Sequence, residues 1–158
     1  MNDLANRVAE LLNSSQDRQA ALRQVLHLVL AELCSETATV HRLDPKTQQL
    51  HLEAETGLPP AMLEVVRTIP VGKGIAGQTA ARGEPVSICN LQKDTSGVAR
   101  PGARQTGVGG AICVPVRSGE AVVGTLGIGT LRQHEYTAEE TRTLEEVGLV
   151  IGRFLDQS

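Results

Sequence analysis

Aromatic side chains are almost missing from this chain of 158 residues: Tyr136 and Phe154 are the only two, and there is no tryptophan. Bases of single-stranded nucleic acids stack on aromatic faces, so the platforms that such binders use are lacking. Any ligand pocket must be walled by aliphatic side chains and backbone. A surplus of positive charge is missing too. With 15 basic and 18 acidic residues the formal net charge is −3, which leaves no field to hold a phosphate backbone by counterion release. No nucleic-acid partner is expected. No stretch approaches the about 18 successive apolar residues of a membrane span, and Met1-Asn2-Asp3-Leu4 does not begin an export signal. A cytoplasmic location without membrane contact is the expectation.

Cysteine chemistry is sparse. Cys34, Cys89 and Cys113 form an odd set without C-x-x-C spacing, which suits reduced, mostly buried thiols better than a disulfide framework. The four histidines, His27, His41, His51 and His134, are scattered with no pairing at ligand spacing, so neither a metal nor a cofactor is implied. Ser87, Ser96 and Ser118 lack the G-x-S-x-G setting of a hydrolase nucleophile. Glu139-Glu140 and Glu145-Glu146 occupy adjacent helical positions that point apart, as solvated carboxylates do. No catalytic group emerges, and a non-enzymatic role is expected.

What is present is a clear order of elements. The composition, 41% hydrophobic and 21% charged, is that of a folded globular chain, and the length suits one domain with a core of its own. Leu4, Val8, Leu11 and Leu12 predict a first short helix. Ala21, Leu22, Val25, Leu26, Val29, Leu30 and Leu33 predict a second from Asp17, capped by Ser14 or Ser15. Residues 38–43 and 50–54 read as an antiparallel hairpin turning at Asp44 to Gln48, with Leu50, Leu52 and Ala54 on one face of the second strand. A short helix over residues 60–66 follows. Another, from Gly74 to Ala81, is stopped by Gly83, and Val86-Ser87-Ile88 is a brief strand. Four breakers between Ser96 and Gly102 mark residues 90–107 as a long surface loop of the kind that carries function. Gly110 to Val116 and Ala121 to Ile128 are apolar on both faces and predict the centre of the sheet. The last helix, from about Thr137 to Leu155, opens on a capping box of Thr137 and Glu140. Strands grouped between helices at both chain ends predict an α+β fold: the end helices cover one face of an antiparallel sheet, and a pocket lies on the other under the middle helices and the long loop.

Gly72-x-Gly74-x-x-Gly77 matches a dinucleotide fingerprint in form, but the following helix is broken by Gly83 and no acid lies between Thr95 and Gly119. A tight turn is the expected role. His41 and Arg42 are neighbours on a sheet strand, so one of them must face inward. Arg100, Arg104 and Thr106 sit in the breaker-rich loop, where they are placed to close over an anion. With Ile75 beside the glycine turn and Cys113 on an apolar strand, these form the candidate ligand contacts.

Five landmarks in order then carry a family resemblance: Ile69-Pro70-Val71-Gly72-Lys73-Gly74-Ile75-Ala76-Gly77, Gly83-Glu84-Pro85-Val86, Cys113-Val114-Pro115-Val116, Val123-Gly124-Thr125-Leu126 and Tyr136-Thr137-Ala138-Glu139-Glu140. Over about residues 16 to 156 the chain resembles a GAF domain. The resemblance implies a six-stranded antiparallel, profilin-like sheet with the terminal helices on one side and a small-molecule pocket on the other. It also implies homodimerisation through those helices, the first spanning residues 1–13, to control an output domain or a protein partner. Because the chain stops just after Leu155, action on a partner in trans or excision from a longer protein is expected. Tyr136 and Glu140 echo the end of the signature of cyclic-nucleotide-binding members. The cysteine beside a histidine that anchors bilins is absent. The free methionine-(R)-sulfoxide reductases share the Gly72-Lys73-Gly74 turn, but this chain has Ala76 and no cysteine between Asn90 and Val108 where their reactive thiols lie. The expected function is a cytoplasmic sensor of an unidentified small molecule; such a reductase and a ligand-free dimerisation scaffold are the alternatives.

Overall fold

Side-chain caps define the helices of the computed structural model, which describes residues 2–93 and 107–156. Helix α1 (Asp3–Ser14) begins where the Asn2 side chain accepts from the Ala5 amide at 2.7 Å. Helix α2 (Arg18–Glu32) begins at Asp17, whose carboxylate accepts from the Ala20 amide at 3.1 Å. The expected caps, Ser14 and Ser15, do not serve: Ser14 closes the last turn of α1, and Asp17 alone stands at the position where a side-chain oxygen meets the free amides of α2. Strands β1 (Thr37–Asp44) and β2 (Gln49–Thr56) form the predicted hairpin. A 3₁₀ turn (Pro60–Met62) and helix α3 (Leu63–Arg67) lead into β3 (Thr68–Pro70). Helix α4 (Gly74–Arg82) ends on Gly83, whose φ of +66° suits a residue without a Cβ. After β4 (Val86–Ile88) and a 3₁₀ turn (Leu91–Lys93) come β5 (Ala111–Ser118), β6 (Ala121–Gly129) and helix α5 (Ala138–Asp156). The capping box of α5 forms as predicted, with Glu140 N–H donating to Thr137 Oγ1 at 3.0 Å and Thr137 N–H to Glu140 Oε1 at 2.9 Å.

The six strands make one antiparallel sheet in the order β3-β2-β1-β6-β5-β4. The predicted hairpin is therefore not the centre by itself. β1 returns to pair with β6, so the middle pair is β1 with β6, and β5 lies one strand in from the β4 edge. Both β5 and β6 are mostly apolar on both faces because α5 covers one face and α4 packs against the other. On the α5 side, Val40, Val114, Val116 and Leu126 join Val25, Val29, Val147 and Ile151 in one core cluster. Leu4, Val8 and Leu12 of α1 belong to the same cluster, so the ends of the chain lie together on one face.

Two close approaches shape this side. A Cβ built on Gly148 would stand 3.2 Å from the Pro115 carbonyl oxygen, and one on Gly152 would overlap the Arg117 carbonyl, so two glycines let α5 rest against the backbone of β5. In β2, register shifts between Val40 and His41 of the facing strand, which leaves Glu53 as an extra residue. The bulge reverses the predicted alternation: Ala54 enters the α5-side cluster opposite Val40, whereas Leu52 pairs with His41 on the other face.

Candidate functional site

The face away from α5 holds a cavity of about 170 Å³. Its floor is made by the residues of the middle strands whose side chains alternate away from the core: Thr37, Thr39 and His41 of β1, Cys113 of β5, and Gly127 and Gly129 of β6. Glycine at 127 keeps the space open, since a Cβ there would stand 3.3 Å from Thr39 Oγ1 and 3.7 Å from Cys113 Sγ. Met62, Val65 and Val66 form one wall; Lys73, Gly74, Ile75 and Ala76, at the start of α4, form another. Leu91 and Val108 line it as well. The lining is mainly aliphatic, in keeping with the near absence of aromatic residues, and among the described residues it carries no carboxylate.

One polar side chain stands out in this apolar setting. His41 is 1% exposed, and its Nε2 lies 2.7 Å from the Val66 carbonyl oxygen. A carbonyl only accepts, so Nε2 carries the proton. Burial lowers the His41 pKa, against the partly compensating hydrogen bond to Val66 and with the His51 charge acting in the same direction as burial; the ring is thus held neutral and Nδ1 presents a lone pair. Nδ1 has no hydrogen-bond partner. Thr125, the residue opposite His41 on β6 and also 1% exposed, does not line the cavity. Cys113 is a different case. Burial pushes its thiol up to about 11, although the hydroxyls of Thr79 and Thr125 favour the thiolate, so it stays protonated near neutrality.

The glycine motif is the turn that delivers α4 to the cavity. Gly72 and Gly74 have φ of +93° and +68°, Gly72 N–H donates to the Gly77 carbonyl at 2.8 Å, and a Cβ on Gly77 would lie 2.5 Å from the Pro70 carbonyl oxygen. The strand before it, β3, has three residues and pairs antiparallel, which is not a dinucleotide-binding setting. Lys73 precedes α4 without supplying a side-chain cap to the first-turn amides, which the macrodipole makes electropositive.

Of the residues singled out in the sequence, His41, Ile75 and Cys113 meet at this cavity. Arg42 does not line it. Its Nε donates to Glu53 Oε1 at 2.6 Å and its Nη1 to the Leu155 carbonyl at 3.2 Å, because the residue after His41 must face the α5 side. Arg100, Arg104 and Thr106 lie outside the described residues. Val66 and Met62, which line the cavity, were not legible as site residues. Tyr136 and Glu140 serve structure here: the Tyr136 hydroxyl lies 2.8 Å from Ser35 Oγ, and Glu140 caps α5 and meets His134 Nε2 at 3.2 Å. Among the described residues no group of three His, Cys, Asp or Glu side chains is placed to hold a metal, and no helix is long and apolar enough to cross a membrane.

A family model described as the GAF domain matches residues 15–156. The chain belongs to the GAF domain family. No curated protein matches this GAF domain. Among solved structures it is similar to the GAF domain from Acinetobacter phosphoenolpyruvate-protein phosphotransferase, at 21% identity over 98% of this chain and 92% of that one, with a TM-score of 0.81. The GAF domain of the same type of protein from Coxiella burnetii is 18% identical over 98% and 91%, with a TM-score of 0.82. The free methionine-R-sulfoxide reductase from Neisseria meningitidis, solved in complex with its substrate, is 16% identical over 98% and 87%, with a TM-score of 0.80. At these identities the likeness is one of fold.

Proposed function

We propose that this GAF domain is a non-catalytic regulatory module of the cytoplasm that binds a compact small molecule between the sheet floor and the α3–α4 roof. The observation that carries this reading is the cavity itself: about 170 Å³, aliphatic, and floored by a buried histidine with an unused acceptor. Packed interiors hold few voids of this size, and apolar ones are known to accept a molecule the size of benzene. Native mass spectrometry of freshly purified protein, before and after denaturation, is the test. A small molecule released on unfolding is the expected result; an empty cavity together with no binder in a metabolite screen favours the scaffold reading instead.

Signalling is proposed to run through a homodimer, with an attached or separate protein partner as the output. The apolar stripe of α1 is already used within its own chain, which narrows the proposed contact to outward residues of the terminal helices such as Leu149, 44% exposed on α5. Occupancy transmits a signal only if the ligand prefers one arrangement of those helices. The proposed ligand contacts are His41, Ile75 and Cys113, with Arg100, Arg104 and Thr106 closing from the loop.

The similarity to free methionine-R-sulfoxide reductases keeps one enzymatic reading in view. Cys113 supports the binding reading against it, because a protonated, buried thiol is a poor nucleophile, and Cys34 and Cys89 are exposed away from the cavity lining. The expected outcome is no turnover of free methionine-R-sulfoxide; turnover abolished by replacing the three cysteines with serine would install the enzyme instead.

A further inference from the structure

Helix α5 turns its apolar stripe to the sheet and leaves an outward face on which Arg142, Leu149, Arg153 and Asp156 are exposed and Glu145 is half-buried. Steps of three, four, four and three residues keep these five on one side of a helix. Their charges are symmetric about Leu149. Arg142 and Asp156 stand seven residues before and after it, and Glu145 and Arg153 four residues before and after, so each charge is mirrored by one of opposite sign. Among the described residues Arg142, Glu145 and Arg153 take part in no ion pair within the chain, while Asp156 accepts from Ser118 Oγ at 2.7 Å. Asp156 is also the last residue of α5, where the macrodipole disfavours a carboxylate, so its sign is not explained by its own helix. At the centre Leu149 is 44% exposed, beside a hollow of about 350 Å³ that reaches Pro115 and Arg117 of β5.

We infer that α5 pairs with α5 of a second copy of this chain in antiparallel orientation, about a two-fold axis that passes by Leu149. This rests on the homodimer proposed above and fixes its geometry. A two-fold interface brings residue i to residue j and j to i. Antiparallel helices centred on Leu149 therefore set Arg142 against Asp156 of the second copy and Glu145 against Arg153 of the second copy, each pair formed twice. The leucines meet at the axis, where each has the hollow of the other copy beside it. Parallel pairing in register does the reverse, because every charge on the face then meets its like. The order of signs thus selects the direction of pairing as well as the partner, rejecting the alternative by repulsion. With a rise of about 1.5 Å per residue, the two Asp156 residues end up about 21 Å apart along the helices, on opposite sides of the axis.

Charge reversals on the whole chain test this, with the dimer dissociation constant read by analytical sedimentation at low and high salt. Glu145→Arg and Arg153→Glu each turn two attractive pairs into repulsive ones. Each is expected to weaken the dimer about tenfold at low salt and by less at high salt. Mixed in equal amounts, the two weakened variants are expected to form a heterodimer about as tight as the original homodimer, because the arginines of one chain then face the glutamates of the other. The double variant Glu145→Arg/Arg153→Glu exchanges the charges within one chain and should restore the homodimer. Recovery in the mixture also excludes a loss of folding as the cause of the weakening. In a parallel pair like charges already face one another, so neither single variant would weaken it. Single variants that dimerise as tightly as the original chain, or a weakening that neither the mixture nor the double variant repairs, overturn the inference and leave the homodimer reading standing. A chain that is monomeric at every concentration tested removes both.

Discussion

His41 is neutral in the fold because burial lowers its pKa below the ordinary 6.5. In the window between the lowered value and 6.5 the unfolded chain holds more protons than the native one, so stability is present above 6.5 and falls as pH drops through that window. Urea unfolding measured from pH 7.5 down to 5 should show this loss, and Thr125→Val, which keeps the imidazole, should retain it while His41→Leu flattens it. Asp44 is lowered too, chiefly by the Lys46 amide that bonds it, and its effect belongs to the acid side of 3.8, outside that window. For the thiols, a disulfide reagent at pH 8 should modify Cys34 and Cys89 quickly and Cys113 only after unfolding. His41 and Cys113 were legible as site residues because inward-facing strand positions follow from alternation. Val66 was not: its carbonyl fixes the His41 tautomer, and a backbone atom leaves no mark on composition.

At the scale of the element, sequence signals confined to one segment survive and those that need a second segment do not. The capping box of α5 needs only Thr137 and Glu140, and it forms as read. Thr137→Ala should cost about 1 kcal/mol in chemical denaturation. The bulge at Glu53 needs β1 beside it, so the alternation of β2 suggested one continuous face where the fold has two. The same holds for the cap of α2, which depended on how far α1 would extend. Gly148 and Gly152 read as weak points of a helix, yet each lies where α5 meets a carbonyl of β5. Gly152→Ala therefore reverses the usual sign: alanine improves helix propensity by about 1 kcal/mol, but overlap with the Arg117 backbone should dominate and destabilise the protein by about 1–3 kcal/mol net, read as a lower melting temperature. An unchanged or raised melting temperature would show that α5 can shift outward freely.

For the whole molecule, element order and the placing of both chain ends on one face followed from helical stripes and strand patterns, while the order of strands came only with the fold. Nothing local tells β1 to leave its hairpin partner on one side and take β6 on the other. That pairing sets Thr37 against Gly129 and Thr39 against Gly127, beside His41, and so builds the floor of the site. Two measurements address the molecule as a unit. Ile75→Trp, enlarging a wall residue, should occupy the cavity and abolish small-molecule capture while the thermal transition stays cooperative. Leu149→Glu should lower the mass seen in light scattering from dimer to monomer if the outward face of α5 carries the proposed contact, and no change of mass would move that contact elsewhere.

The bare backbone at Gly127 has a further effect on what this domain is able to discriminate. With only hydrogen at that position, one residue acts as a gauge for the length of whatever enters, much as a stop block sets the depth of a drawer. A single methyl at 127 would shorten the drawer and so admit only a shorter guest.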